Sequence, residues 1–283
     1  MKIYIDGTYH SKDEAKISVF DHGLLYGDGV FEGIRAYDGR VFRLAEHIDR
    51  LYASATAVAL EIPMAKKEMA SAVVGAVHEN GTQDGYIRLV VTRGAGSLGL
   101  DPSSCGKPTV IIIVGDIQLY PKEYYQKGIR IVTAATRRIP PECLDPRIKS
   151  LNYLNNIMAK AEARRAGALE AVMLNTRGYV AECTADNIFI VKDGRLLTPL
   201  PSDGALDGIT RRAVQELAAA GDIGCIETAL TQYDLYTADE CFITGTGAEV
   251  MPVIGIDDRA IGEGKPGPLT LRLIDAYRKL VAE

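Results

Sequence analysis

The sequence predicts a mixed chain of α/β (α+β) class, with a small N-terminal domain over residues 1–117 and a larger one over 129–283, joined by a linker at 118–128. Three observations predict this. At 283 residues the chain exceeds one small core and falls short of three ordinary domains. Apolar residues alternate with polar ones over strand-length runs and elsewhere recur at helical spacing. From Gln118 to Gly128 the chain turns polar and tyrosine-rich around Pro121, as a connector does.

In the first third, strands are expected at Lys2 to Ile5, turning at Asp6-Gly7, at Ile17 to Phe20, and at Val30 to Tyr37, which turns at Asp38-Gly39 into Val41-Phe42-Arg43. These make an antiparallel sheet. Helical spacing starts at Leu44 and runs through Leu51, Ala55 and Val58 until Pro63 interrupts it, and a second helix covers Lys66 to about Asn80. Tyr86 to Thr92 and Thr109 to Val114 read as strands. The second domain opens with the strand Ile129 to Ala135 and a turn-rich stretch from Pro140 to Pro146, followed by a helix from Tyr153 to Ala166 closed by Gly167. Strands Ala171 to Leu174 and Asn187 to Val191, a helix from Ile209 to Gly221, the strand Glu240 to Thr244 and a last helix from Pro268 complete the pattern.

Composition narrows the function. An apolar fraction of 47% with 24% charged residues is that of a soluble protein, and no apolar run is long enough to cross a bilayer. The strand-like start lacks the apolar block of a signal peptide, so a cytoplasmic location is expected. Five scattered cysteines make neither a disulfide framework nor a paired metal site, and four dispersed histidines offer no metal-ligand cluster. A net charge of −5 without a basic run argues against nucleic acid. The expected partner is a small molecule.

Several residues could carry chemistry. Lys149 stands in Ile148-Lys149-Ser150-Leu151-Asn152-Tyr153 between a strand-like approach and a helix, with no acidic residue following it. A lysine that attacks as a neutral amine needs desolvation rather than a carboxylate partner, though a surface lysine would look the same. Glu182 lies in a strand ending at a polar corner, Ala181-Glu182-Cys183-Thr184-Ala185-Asp186-Asn187. A carboxylate there could keep a pyridine nitrogen protonated, with Asn187 holding the corner. The turn Leu206-Asp207-Gly208-Ile209-Thr210 leads straight into a helix, aiming backbone N–H groups, the positive helix end and a hydroxyl at one spot, as a phosphate requires. Thr244-Gly245-Thr246-Gly247 is a second small-residue turn of this kind, and Arg50 is a candidate counter-cation.

These segments, together with Asp21-His22-Gly23, Gly27-Asp28-Gly29-Val30-Phe31-Glu32-Gly33 and Glu46-His47-Ile48-Asp49-Arg50-Leu51, occur in an order and spacing that resembles the class IV aminotransferases over essentially the whole chain. The resemblance implies the fold-type IV architecture, a small α/β domain and a larger β-barrel-like one with pyridoxal 5'-phosphate at their interface. It also implies a homodimer, with association into a higher homo-oligomer left open. By the same resemblance Lys149 carries the cofactor as a Schiff base and then shuttles the substrate proton, Glu182 pairs with the ring nitrogen, and Tyr153 meets the ring oxygen. Arg50, Ile209, Thr210 and Thr246 hold the phosphate, with Asn187, Leu206 and Gly208 shaping the cofactor site.

Within that family, Phe31-Glu32-Gly33-Ile34-Arg35-Ala36-Tyr37, Tyr86-Ile87-Arg88 and Gly96-Ser97-Leu98-Gly99-Leu100-Asp101-Pro102 look like the group acting on branched-chain L-amino acids. Such an enzyme takes the amino group of leucine, isoleucine or valine and passes it to 2-oxoglutarate, so one pocket needs an apolar lining and a cation. Tyr26, Phe31, Tyr86 and Tyr153 can line it, Arg88 can be the cation, and Arg35 lies in the same signature. By analogy the α-carboxylate meets Tyr86 and the N–H groups of Gly247 and Ala248. A D-amino acid aminotransferase shares the Lys149 stretch, but its arginine-x-histidine carboxylate trap is absent after Thr92-Arg93-Gly94, where Ala95-Gly96-Ser97 follow. The enterobacterial branched-chain enzymes have one more residue between the lysine and the tyrosine equated with Tyr153. A lyase acting on aminodeoxychorismate and a non-catalytic cofactor-binding protein are the remaining alternatives, and a dehydrogenase is disfavoured because Gly27-Asp28-Gly29 with Gly33 misses the dinucleotide spacing.

Overall fold

Alternation of buried and half-exposed residues along Tyr86 to Thr92 sets the middle of the first sheet. A computed structural model describes residues 1–115 and 120–283. Contacts group the chain into two units, Met1–Gln118 with Ile148–Asn152, and Leu119–Arg147 with Tyr153–Glu283. The five residues Ile148–Asn152 belong with the first unit although the chain on either side of them belongs to the second.

The first unit contains β1 (Lys2–Ile5), β2 (Thr8–Ser11), α1 (His22–Tyr26), β3 (Gly29–Tyr37), β4 (Arg40–Val41), α2 (Leu44–Ala57), α3 (Lys66–Glu79), β5 (Gly85–Thr92) and β6 (Thr109–Gly115). The strands form one six-stranded antiparallel sheet in the order β2-β1-β6-β5-β3-β4. Its helix-facing side is apolar: Val30, Ile34, Ala36, Ile87, Leu89, Val91, Val110, Ile112 and Val114 pack against Ile48, Leu51, Ala55, Met69, Val73 and Val77 of α2 and α3. Burying one such side chain contributes about 1.5–3 kcal/mol, so this face holds the unit together. The expected strand over Ile17 to Phe20 is absent, because these residues pair with no strand and Val19 and Phe20 stay 68% and 49% exposed. Their apolar character therefore needs a different explanation from sheet burial.

The second unit contains α4 (Lys122–Lys127), β7 (Ile129–Thr133), α5 (Leu154–Arg165), β8 (Ala171–Leu174), β9 (Val180–Cys183), β10 (Asn187–Lys192), β11 (Arg195–Thr198), α6 (Ile209–Ala220), β12 (Cys225–Glu227), α7 (Gln232–Tyr236), β13 (Glu240–Gly245), β14 (Glu249–Ile256), β15 (Arg259–Ala260) and α8 (Pro268–Ala282). Part of the expected linker, residues 118 and 119, lies outside the described residues, and the rest holds α4, whose Tyr125 is buried in this unit's core. The nine strands run in the order β12-β11-β10-β13-β14-β7-β8-β9, with β15 on β14. β9 stands at the end of that order, yet only residues 184–186 separate it from β10, and Cys183 N–H donates to Asp186 O at 2.7 Å across the corner. So short a connection between strands well apart in the sheet order forces the sheet to curl back on itself, giving the barrel-like shape.

Candidate active site

In the first unit, residues 149–151 lie along the free margin of β3. Phe31 N–H donates to Lys149 O and Leu151 N–H to Gly29 O, both at 2.9 Å, with Val30 and Ser150 bridging as antiparallel partners. On the other side Lys149 N–H donates to Ser54 Oγ on α2 at 3.1 Å. The backbone of Lys149 is thus gripped by a strand and a helix, and its Nζ stands 4.7 Å from the centre of the Phe31 ring.

Register decides what shares that surface. Gly33 pairs with Arg88 and Arg35 with Tyr86, so Phe31, Gly33, Arg35, Tyr86 and Arg88 point away from the helices. Arg88 Cζ lies 4.5 Å from the Phe31 ring centre, and its Nη2 donates to Tyr86 Oη at 3.0 Å. A Cβ at position 33 would strike Tyr86 Oη, so glycine is what lets that hydroxyl lie across β3 beside Arg88. Arg35 is buried with its Cζ 4.7 Å from the Tyr37 ring, and its Nε and Nη1 have no hydrogen-bond partner among the described residues. Tyr26 ends α1 at the surface and donates through its hydroxyl to Leu98 O.

Glu32 points the other way, into the apolar row of Val30 and Ile34. Arg50 of α2 donates to it through Nε and Nη2, each at 2.7 Å, and His47 Nδ1 donates at 2.8 Å. Burial pushes the Glu32 carboxyl up, but the Arg50 charge and the hydrogen bonds from Arg50 and His47 outweigh it and hold it at about 2. Burial lowers His47 despite Glu32 beside it, so the imidazole is neutral with its proton on Nδ1.

In the second unit, Glu182 on β9 is buried and carries an ion pair with Arg138 at 2.8 Å. Leu206 N–H donates to its Oε2 at 2.9 Å and Asn187 Nδ2 at 3.3 Å, while Asn187 Nδ2 also donates to Leu206 O at 2.8 Å. Arg138 is itself fixed, donating through Nε to Gly204 O at 3.0 Å and through Nη1 to Asn156 Oδ1 at 2.7 Å. The carboxylate is therefore paired with a cation and held in one orientation. Next to it Gly208 caps α6 without any side-chain hydrogen bond, and a Cβ there would strike Asn187 Oδ1, so the first turn of the helix presents bare N–H groups and the buried Thr210. An anion suits such a helix start. Thr246 and Gly247 form the turn from β13 to β14, with Ala248 buried behind them, and Tyr153 is the N-cap residue of α5. Burial holds the Cys183 thiol far above its ordinary range, which removes it as a nucleophile. Among the described residues no group of three or more His, Cys, Asp or Glu could hold a metal ion, and no helix is long and apolar enough to cross a membrane.

The first unit thus holds a lysine clamped at its backbone, and the second an oriented carboxylate beside a helix start without a side-chain cap. The family described as Amino-transferase class IV matches residues 29–256. This chain belongs to the class IV aminotransferases. A Methanocaldococcus jannaschii protein, provisionally named a branched-chain-amino-acid aminotransferase, is 52% identical over 280 residues, covering 99% of this chain and 96% of that one. The Escherichia coli branched-chain amino acid aminotransferase structure matches with a TM-score of 0.96 at 35% identity, covering 99% and 94% of the two chains. The T.th. branched-chain amino acid aminotransferase complexed with N-(5'-phosphopyridoxyl)-L-glutamate matches with a TM-score of 0.94 at 39% identity, covering 99% and 93%. The fold is accordingly fold-type IV.

Sequence reasoning missed four residues that hold the candidate ones in place, Arg138 in the second unit and Glu32, His47 and Ser54 in the first. Arg138 sits beside Arg137 in a turn-rich stretch, where nothing distinguishes the buried arginine from its neighbour. Glu32, His47 and Ser54 lie in or next to the family-like segments, but their convergence on Arg50 and Lys149 depends on the packing of α2 against β3.

Proposed function

We propose that this class IV aminotransferase uses pyridoxal phosphate on Lys149 to transfer the amino group of leucine, isoleucine or valine to 2-oxoglutarate. The observation that carries the reading is the shared Phe31 ring, 4.7 Å from the Lys149 amine and 4.5 Å from the Arg88 guanidinium. An aliphatic side chain can lie on that aromatic surface, and the carboxylate of glutamate can reach the cation beside it. The neighbour that holds a phosphopyridoxyl-glutamate adduct supports the pairing of this cofactor with an acidic amino acid.

Pyridoxal phosphate supplies an aldehyde that condenses with amines and a ring that takes up the electron pair left when the α-proton departs. In this reading Lys149 Nζ tethers the group and then carries that proton, and the Glu182 carboxylate keeps the ring nitrogen protonated. Tyr153 meets the ring oxygen, and Arg50, Ile209, Thr210 and Thr246 hold the phosphate, with Asn187, Leu206 and Gly208 shaping the cofactor's surroundings. Tyr86 with the N–H groups of Gly247 and Ala248 orients the α-carboxylate, while Arg88 and Arg35 serve acidic side chains and Tyr26 adds to the apolar lining.

The surface supports self-association. Val19, Leu24, Leu98 and Leu100 of the first unit are 62–79% exposed, and Gly96 N–H donates to Phe20 O, tying the two segments into one apolar strip. A strip of this kind fits a second copy of the chain, so we read the protein as a homodimer. Its five unbridged cysteines suit the reducing cytoplasm. Rates with L-leucine, L-valine, D-alanine and an aromatic amino acid, each with 2-oxoglutarate, test the substrate assignment. Leucine and valine should lead, and a preference for D-alanine would replace the reading with a D-amino acid aminotransferase.

A further inference from the structure

Glu32 is out of place by the ordinary rules of this sheet. It occupies the β3 row between Val30 and Ile34, facing the helices, where a carboxylate is costly to desolvate and an apolar residue would pack at no such cost. The helix opposite answers it with a matching face: His47 and Arg50 converge on the carboxylate, and one turn further Ser54 accepts the Lys149 N–H. The adjacent residue of β3, Phe31, donates to Lys149 O. One strand and one helix therefore fix both Lys149 and Arg50.

We propose that Glu32 and His47 are positioning residues that hold Arg50 at a set offset from Lys149, so that this unit gauges the span between a reactive carbonyl and a phosphate on one molecule. The inference rests on the reading above, in which Lys149 takes the carbonyl and Arg50 the phosphate. Gripping Nε and Nη2 together fixes the plane of the guanidinium, which a single contact would leave free to swing. The neutral His47 adds a donor without adding a charge that would compete for the carboxylate.

The test compares binding of pyridoxal phosphate and of pyridoxal, which lacks the phosphate, to the cofactor-stripped protein by absorbance and calorimetric titration. Glu32→Gln should weaken pyridoxal phosphate binding by at least about tenfold, while pyridoxal binding changes by less than about twofold. His47→Ala should do the same to a lesser degree, and His47→Asn, which keeps an N–H near the Nδ1 position, should restore the preference for the phosphorylated ligand. Equal weakening of both ligands, or undiminished discrimination in His47→Ala, would overturn the proposal, and the histidine pair keeps it testable where Glu32→Gln does not fold. Binding of neither ligand by the unaltered protein would overturn it together with the cofactor assignment, whereas normal binding with unchanged discrimination in the variants would overturn the gauge alone.

Discussion

Replacing Arg138 by methionine removes three hydrogen bonds at once, to Gly204 O, Asn156 Oδ1 and Glu182 Oε1, and leaves Glu182 buried without its counter-charge. Both members of the pair are 6% exposed, so water offers little relief. Breaking a buried pair by removing one partner costs about 3–5 kcal/mol, and because Leu206 N–H and Asn187 Nδ2 still serve Oε2, the expected cost lies near about 3 kcal/mol. Glu182→Gln strands the arginine instead, at a similar cost. The double variant strands neither charge, so its destabilisation should fall short of the sum of the two singles by about 2 kcal/mol or more. Urea unfolding of the four proteins measures this directly. Additivity within about 0.5 kcal/mol would refute the claim that Arg138 exists to hold Glu182 as an oriented carboxylate.

Three other outcomes are expected. Glu32 falls from an ordinary 4.5 to about 2 on folding, so it stabilises the fold by about 3 kcal/mol at neutral pH, and this contribution is lost as the pH falls below about 5. The stability gap between the native protein and Glu32→Gln should accordingly narrow by about 2 kcal/mol between pH 6 and pH 3 in urea titrations, and parallel pH curves would count against the buried triad. Arg88→Ala should cut kcat/KM for glutamate by at least about tenfold more than for leucine, since only the acidic side chain uses the guanidinium, and equal losses would remove that role. Leu24→Glu should dissociate the assembly in sedimentation velocity while leaving the circular dichroism spectrum unchanged, because Leu24 is 62% exposed within its own chain. A native protein that sediments as a monomer would contradict the dimer.

Much of this was legible in the residues, and what was not has physical causes. Gly85–Thr92 was readable because buried and half-exposed residues alternate along it with a period of two, whereas Gly29–Tyr37 is buried on both faces and was readable from the Asp38-Gly39 turn that closes it. Glu249–Ile256 was not: Pro252 lies inside it, and proline ordinarily argues against an inner strand, yet β14 pairs with β13, β7 and β15. Ile17 to Phe20 carries the apolar character of a strand but pairs with none, and Val19 and Phe20 stay exposed within one chain, so local pattern alone misplaces them. Among the candidate residues, Lys149, Glu182 and the Gly208 turn stand out because each sits at a junction of elements. Arg138, Glu32 and His47 act through partners distant in sequence, at separations of 44, 18 and 15 residues, which local pattern does not encode.

In the proposed reaction the Lys149 amine bonds the cofactor. Borohydride reduction of the protein reconstituted with pyridoxal phosphate, followed by peptide mass spectrometry, should find a single phosphopyridoxyl mass increment, on the peptide containing Lys149, and none in Lys149→Ala. A label on another lysine, or no label on the unaltered protein, would contradict the account.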